Sequence, residues 1–92
     1  MIINERTGQV IINEKEHNLT RTEIKVLAAL KENQSTYEQI YYRLYKIKVN
    51  ELSKTEREGI AAIISRIRRK TNLDIQNNYS YGYKLGGTNG KI

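Results

Sequence analysis

At the head of each of three helix-spaced apolar runs a hydroxyl residue stands three positions ahead of a glutamate or glutamine: Thr20 with Glu23, Thr36 with Gln39, and Ser53 with Glu56. In such a capping box the hydroxyl accepts from the backbone N–H of its partner, whose side chain accepts from the N–H of the hydroxyl residue. Three helix starts are therefore predicted within 92 residues. The first helix runs to about Lys31, with Ile24, Leu27 and Leu30 on one face, Val26 broadening it and Leu19 ahead of the cap as a staple. Asn33-Gln34-Ser35 interrupts the pattern. The second helix runs through Tyr45, with a core face of Ile40, Leu44, Tyr41 and Tyr45. After a polar connection containing Ile47, Val49 and Leu52, the third helix runs to about Lys70 with Ile60, Ile63, Ile64 and Ile67 at helical spacing. Gly59 inside it costs about 1 kcal/mol relative to alanine, and reads either as a close-approach position or as a tolerated weak spot.

Short strands are expected outside the helices. Ile2-Ile3 and Val10-Ile11-Ile12 flank Thr7-Gly8 as a hairpin, and Asn13 to Asn18 hold a turn or a further short strand, with His17 an ordinary surface residue. Leu73 to Leu85 returns to strand composition around Gly82, a second hairpin with its tip at Tyr79-Ser80-Tyr81-Gly82. Residues 86–92 read as a flexible tail, which leaves 1–85 as one domain.

Composition narrows the chemistry. Without cysteine there is no disulfide, thiolate nucleophile or cysteine-bound zinc, and with His17 alone there is no histidine pair. Asp74 and the glutamates form no paired acid/base layout, so neither an enzyme nor a metal or other cofactor is expected. No apolar run approaches a membrane span and no signal peptide opens the chain, which reads as a cytoplasmic protein. The formal charge is +6, unevenly spread: residues 1–52 hold eight basic and seven acidic side chains, residues 53–92 eight basic and three acidic. A basic field concentrated in one region suggests a polyanionic partner, nucleic acid above all, against the plainer reading of a solvated basic surface.

The third helix locates that field. At about 100° per residue its isoleucines fill one band, which must face the core. Glu58, Ala62, Ser65 and Arg69 then point directly away, Arg66 and Arg68 flank them, and Lys70 lies nearer the buried edge. Small residues at the centre allow close approach to a groove floor, and arginines beside them reach guanine edges or phosphates. Lys54 and Arg57 extend the basic surface toward the start of the helix, while Tyr79, Tyr81 and Lys84 of the hairpin can lie along an adjacent backbone or minor groove; Tyr83 is expected to pack inward. This reading needs the Arg66 and Arg69 side to be clear of internal ion pairs.

The order hairpin, helix, helix, basic helix, hairpin resembles the winged-helix effector domain of OmpR/PhoB-type bacterial response regulators. The likeness is carried by Leu19-Thr20-Arg21-Thr22-Glu23-Ile24 with Leu27 and Leu30, by Thr36 to Tyr45, by Ile64-Ser65-Arg66-Ile67-Arg68-Arg69-Lys70, and by Gly82-Tyr83-Lys84-Leu85. It implies an α+β winged helix-turn-helix: an N-terminal hairpin or small sheet, three helices and a C-terminal hairpin wing. It implies a double-stranded DNA-binding transcription regulator with the third helix (about 53–70) in the major groove and the wing (about 75–85) beside it. By the resemblance Arg66 falls on a base-reading position, Ala62 and Ser65 on close-approach positions, and Arg68 and Arg69 on or near phosphate contacts. Tyr79 stands where the wing commonly carries a minor-groove arginine, which suggests sugar stacking or a hydroxyl to phosphate. No receiver domain fits within 92 residues. The resemblance further implies head-to-tail homodimers on direct repeats and a contact with RNA polymerase through the second helix and following loop, here Tyr37, Tyr42, Lys46 and Lys48. The competing reading is an adaptor with the same frame that acts through protein contacts alone.

Overall fold

The computed structural model describes residues 1–78 and 81–86. At the N-terminus β1 (Ile2–Asn4), β2 (Gln9–Ile12) and β3 (Lys15–Asn18) form an antiparallel meander. Gly8, at φ +80°, closes the first turn, its N–H donating to Asn4 O at 2.9 Å, and a Cβ there would collide with the Leu19 carbonyl. Between β2 and β3 the two-residue loop Asn13–Glu14 has φ of 51° and 67°. Positive φ at both loop residues is the hairpin geometry whose twist matches that of the strands. The register settles which isoleucines face inward: Ile3 sits opposite Val10, which is fully buried, while Ile2 sits opposite Ile11, and this second pair is exposed.

All three capping boxes are formed. Helix α1 spans Arg21–Glu32, α2 Tyr37–Tyr45 and α3 Lys54–Thr71, with Thr20, Thr36 and Ser53 as their caps. Leu19 and Ile24 are both buried, as a staple requires. Helices α2 and α3 end on Lys46 and Asn72 in the left-handed conformation, each N–H returning to the carbonyl four residues back. The core joins Ile24, Leu27 and Leu30 of α1 to Ile40 of α2 and the isoleucine stripe of α3. Tyr45 corrects an expectation: it is 53 % exposed, and Tyr41 and Leu44 are only half-buried. Nine residues turn a single side chain, Ile40, fully into the core, and Tyr45 packs on Tyr41 with ring centroids 4.8 Å apart.

Strand β4 (Ser35–Thr36) lies where the sequence shows only a break. It pairs with β6 (Gly82–Leu85), which also pairs with β5 (Ile75–Asn78), in the order β4-β6-β5. The hairpin is thus hydrogen-bonded into the body through the segment between α1 and α2. Gly86 continues the ladder, its N–H donating to Asp74 O at 2.6 Å; the rest of the expected tail, with Tyr79 and Ser80 of the tip, lies outside the described residues.

Gly59 resolves between its two readings as far as the fold is concerned. A Cβ built there meets nothing within 4 Å, so no packing within the protein requires glycine. Gly59→Ala is expected to stabilise the protein by about 0.5–1 kcal/mol through helix propensity, measured as a raised midpoint in urea.

Candidate nucleic-acid interface

Helix α3 shows the two faces that its periodicity demands. Ile60, Ile63, Ile64 and Ile67 are buried, whereas Glu58, Ala62, Ser65 and Arg69 are all exposed. Lys54 and Arg57 are exposed near its start; Arg57 lies 3.9 Å from Glu51 and over the Tyr37 ring, 5.7 Å from its centroid. Among the described residues Arg69 has no ion-pair or hydrogen-bond partner, so the centre of the outward face keeps an uncompensated positive charge.

The flanking cations are held. Arg68 is half-buried and donates to Ile75 O through Nε at 3.0 Å and also through Nη2, which joins the last turns of α3 to the first residue of β5. Arg66 Nε donates to Glu23 Oε2 at 3.2 Å and Lys70 Nζ to Glu23 Oε1 at 2.8 Å. The condition set from the sequence is therefore met by Arg69 and not by Arg66, because α1 places a carboxylate beside it. The side chain of Arg66 remains 44 % exposed, and its Nη1 and Nη2 have no hydrogen-bond partner among the described residues.

Glu23 is the residue whose part at this face sequence reasoning missed. Its capping role was legible, but its cationic partners lie 43 and 47 residues away, beyond any local pattern. The side chain is 1 % exposed. Burial raises its pKa, but the hydrogen bond from Lys70, the Thr20 N–H, the Lys70 charge and Arg66 together hold it below the ordinary 4.5. A carboxylate depressed in the folded state stabilises above its unfolded pKa, and that stabilisation is lost as pH falls through the folded value. The urea midpoint is therefore expected to fall as pH drops below 4.5, and Glu23→Gln to flatten part of that fall.

In the hairpin Lys84 is exposed and Tyr81 is 39 % exposed, while Tyr83 is buried as expected. Tyr83 packs edge-to-face on Tyr37, centroids 5.4 Å apart, and its hydroxyl pKa is pushed up to about 12 by burial and by Tyr37, against an opposing effect of Arg68. Tyr79 lies outside the described residues. Of the four residues expected on a protein-contact surface, Tyr42, Lys46 and Lys48 are exposed together at the end of α2, whereas Tyr37 is half-buried against Tyr83. Tyr42 and Lys48 line a groove of about 1010 Å³ with Glu38, Arg43 and Tyr81. Among the described residues no cluster of histidine, aspartate or glutamate suits a metal, and no helix is long and apolar enough to cross a membrane.

No protein-family model matches the sequence, and no curated protein sequence matches it. Solved structures do match. The DNA-binding domain of Bacillus subtilis CssR superposes with a TM-score of 0.70 at 19 % identity, covering 92 % of this chain and 98 % of that one. That of CpxR from E. coli gives 0.71 at 17 %, covering 90 % and 86 %. The DNA-binding domain of the response regulator AdeR, solved in complex with an intercistronic region, gives 0.70 at 22 %, covering 91 % and 90 %. At these identities the likeness is one of architecture, and it establishes that this chain shares the α+β winged-helix fold of these DNA-binding domains.

Proposed function

We propose that the protein is a sequence-specific regulator of transcription that binds double-stranded DNA in the cytoplasm, with α3 in the major groove and the β5–β6 hairpin on the adjacent backbone or minor groove. One observation carries the reading: on the side of α3 opposite the core, Ala62 and Ser65 leave the backbone approachable beside Arg69, which has no ion-pair partner among the described residues. Small side chains at the centre of a groove-facing helix admit it to the groove floor, and cations around them meet phosphates and base edges. The DNA solved with AdeR and the fold shared with CssR and CpxR support the same reading. In it Arg66 reads a base edge through its Nη atoms, Arg69 and Arg68 serve the phosphate backbone, Lys54, Arg57 and Lys84 extend the field, and Glu58 lies on the same groove-facing side. Tyr79 and Tyr81 meet sugar or phosphate from the wing. Residues 1–85 act as one domain, and two copies bind head to tail on direct repeats.

Selection from a random duplex library, followed by fluorescence anisotropy at several salt concentrations, tests the proposal. Recovery of a defined site with salt-dependent affinity supports it; a flat selection, or affinity indifferent to salt, overturns it. Arg66→Ala is expected to lose about 1–3 kcal/mol on the selected site and to relax the preference at one base pair, whereas Arg69→Ala weakens all sequences alike and lowers the salt slope by about 1.

The exposed Tyr42, Tyr45 and Ile47, with Lys46 and Lys48 beside them, favour a second reading. In that reading the domain is an adaptor that contacts the transcription machinery, RNA polymerase in particular. Copurification with polymerase, with no binding to any duplex at low salt, would select it over the first.

A further inference from the structure

Glu23 does more than its capping box requires. Acceptance of the Thr20 N–H needs only a side-chain carbonyl oxygen, and Gln39 does that work for Thr36 at the head of α2 with an uncharged amide. Glu23 instead carries a full negative charge at a position 1 % exposed to solvent. Placing a charge there is costly unless it is paired and hydrogen-bonded. Its two oxygens meet that condition by taking the N–H of Thr20, the cap of α1, and two cationic donors from α3. Both donors sit on the edge of α3 nearest α1, next to the outward face that holds Ala62, Ser65 and Arg69.

We propose that Glu23 is a positioning residue for DNA recognition: by holding Arg66 at Nε and Lys70 at Nζ it aims one guanidinium edge at the duplex and withholds a second cation from phosphate. The inference rests on the DNA-binding reading above. An arginine held at Nε keeps its two Nη groups as a planar fork whose direction is set before the encounter, so less rotamer freedom is lost on binding. A lysine ammonium donating to a buried carboxylate is no longer a mobile counter-charge for the backbone. The arrangement lowers attraction to arbitrary sequence, which follows the number of phosphates neutralised, and keeps the contact that distinguishes bases.

Glu23→Gln tests this, because it preserves the acceptor for Thr20 and removes the charge. Affinities for the selected duplex and for a scrambled duplex of the same length are measured by fluorescence anisotropy across a salt series, with thermal melting to follow folding. The variant is expected to bind scrambled duplex about three- to tenfold more tightly at low salt, with a salt slope steeper by about 1–2, and to lose about tenfold in the ratio of selected to scrambled affinity. Loss of both affinities in parallel with an unchanged slope is what a purely structural brace predicts, and it would overturn the inference.

Should Glu23→Gln not fold, Lys70→Gln and Arg69→Gln in the otherwise unchanged protein decide the matter. Lys70→Gln should leave the slope as it was while Arg69→Gln lowers it by about 1; equal reductions would show that Lys70 already serves phosphate and refute the proposal. Absence of wild-type binding to any duplex removes the DNA-binding reading itself, whereas intact wild-type binding with an unaltered slope in Glu23→Gln, or with equal reductions in Lys70→Gln and Arg69→Gln, removes only the role of Glu23.

Discussion

Gly82→Ala is expected to unhook the β5–β6 hairpin from the body and to destabilise the protein by about 3 kcal/mol or more. A Cβ at this position would overlap the carbonyl oxygen of Ser35 and lie 2.7 Å from Thr36 Cα. Both neighbours are backbone, so no side-chain rotation relieves the contact. The only relief is separation of β4 from β6, which breaks the Ser35↔Tyr83 and Thr36↔Gly82 pairing and pulls Tyr83 away from Tyr37. Urea unfolding should show the loss directly, and a midpoint equal to that of the parent would refute the account. If the wing contributes to DNA binding, affinity measured well below the unfolding transition should fall as well.

Ile64→Ala carries the second large effect. Ile64 is 0 % exposed and belongs to the stripe that seats α3 on the core. Truncating a buried isoleucine to alanine costs about 2–5 kcal/mol in lost transfer free energy and residual cavity. Against the roughly 5–15 kcal/mol that holds a typical domain together, such a change removes a large share of the stability. Ser65→Ala, one residue further and about 100° around the helix, should move stability by no more than about 0.5 kcal/mol. Comparable losses for the two variants would mean that the division of α3 into core and outward faces is wrong.

The helices were legible because their signals are local. A capping box involves residues three apart, and a helical stripe repeats within one or two turns, so Thr20, Thr36 and Ser53 mark the three starts without reference to the rest of the chain. The outward row of α3 follows from the same periodicity. The N-terminal strands were legible as strands but not in their facing. Val10, Ile11 and Ile12 are all apolar, and only the register with β1 and the helices beneath decides that Ile11 faces out. Tyr45 was misplaced for a related reason. Periodicity nominates an apolar or aromatic side chain for the core but does not tell how much of a short helix its neighbours cover.

The sequence by itself determined three helix starts, two hairpins, a basic C-terminal half and the side of the third helix that must be buried, because each depends on residues adjacent along the chain or within a few turns. Tertiary structure alone decided that Ser35–Thr36 would become a strand, that Arg68 would tie α3 to β5, and that Glu23 would take Arg66 and Lys70 as partners. Those contacts join residues from 7 to 48 positions apart. Their formation depends on how α1, α3 and the hairpin dock, and docking is set by the summed burial of the whole core, which no local spacing encodes.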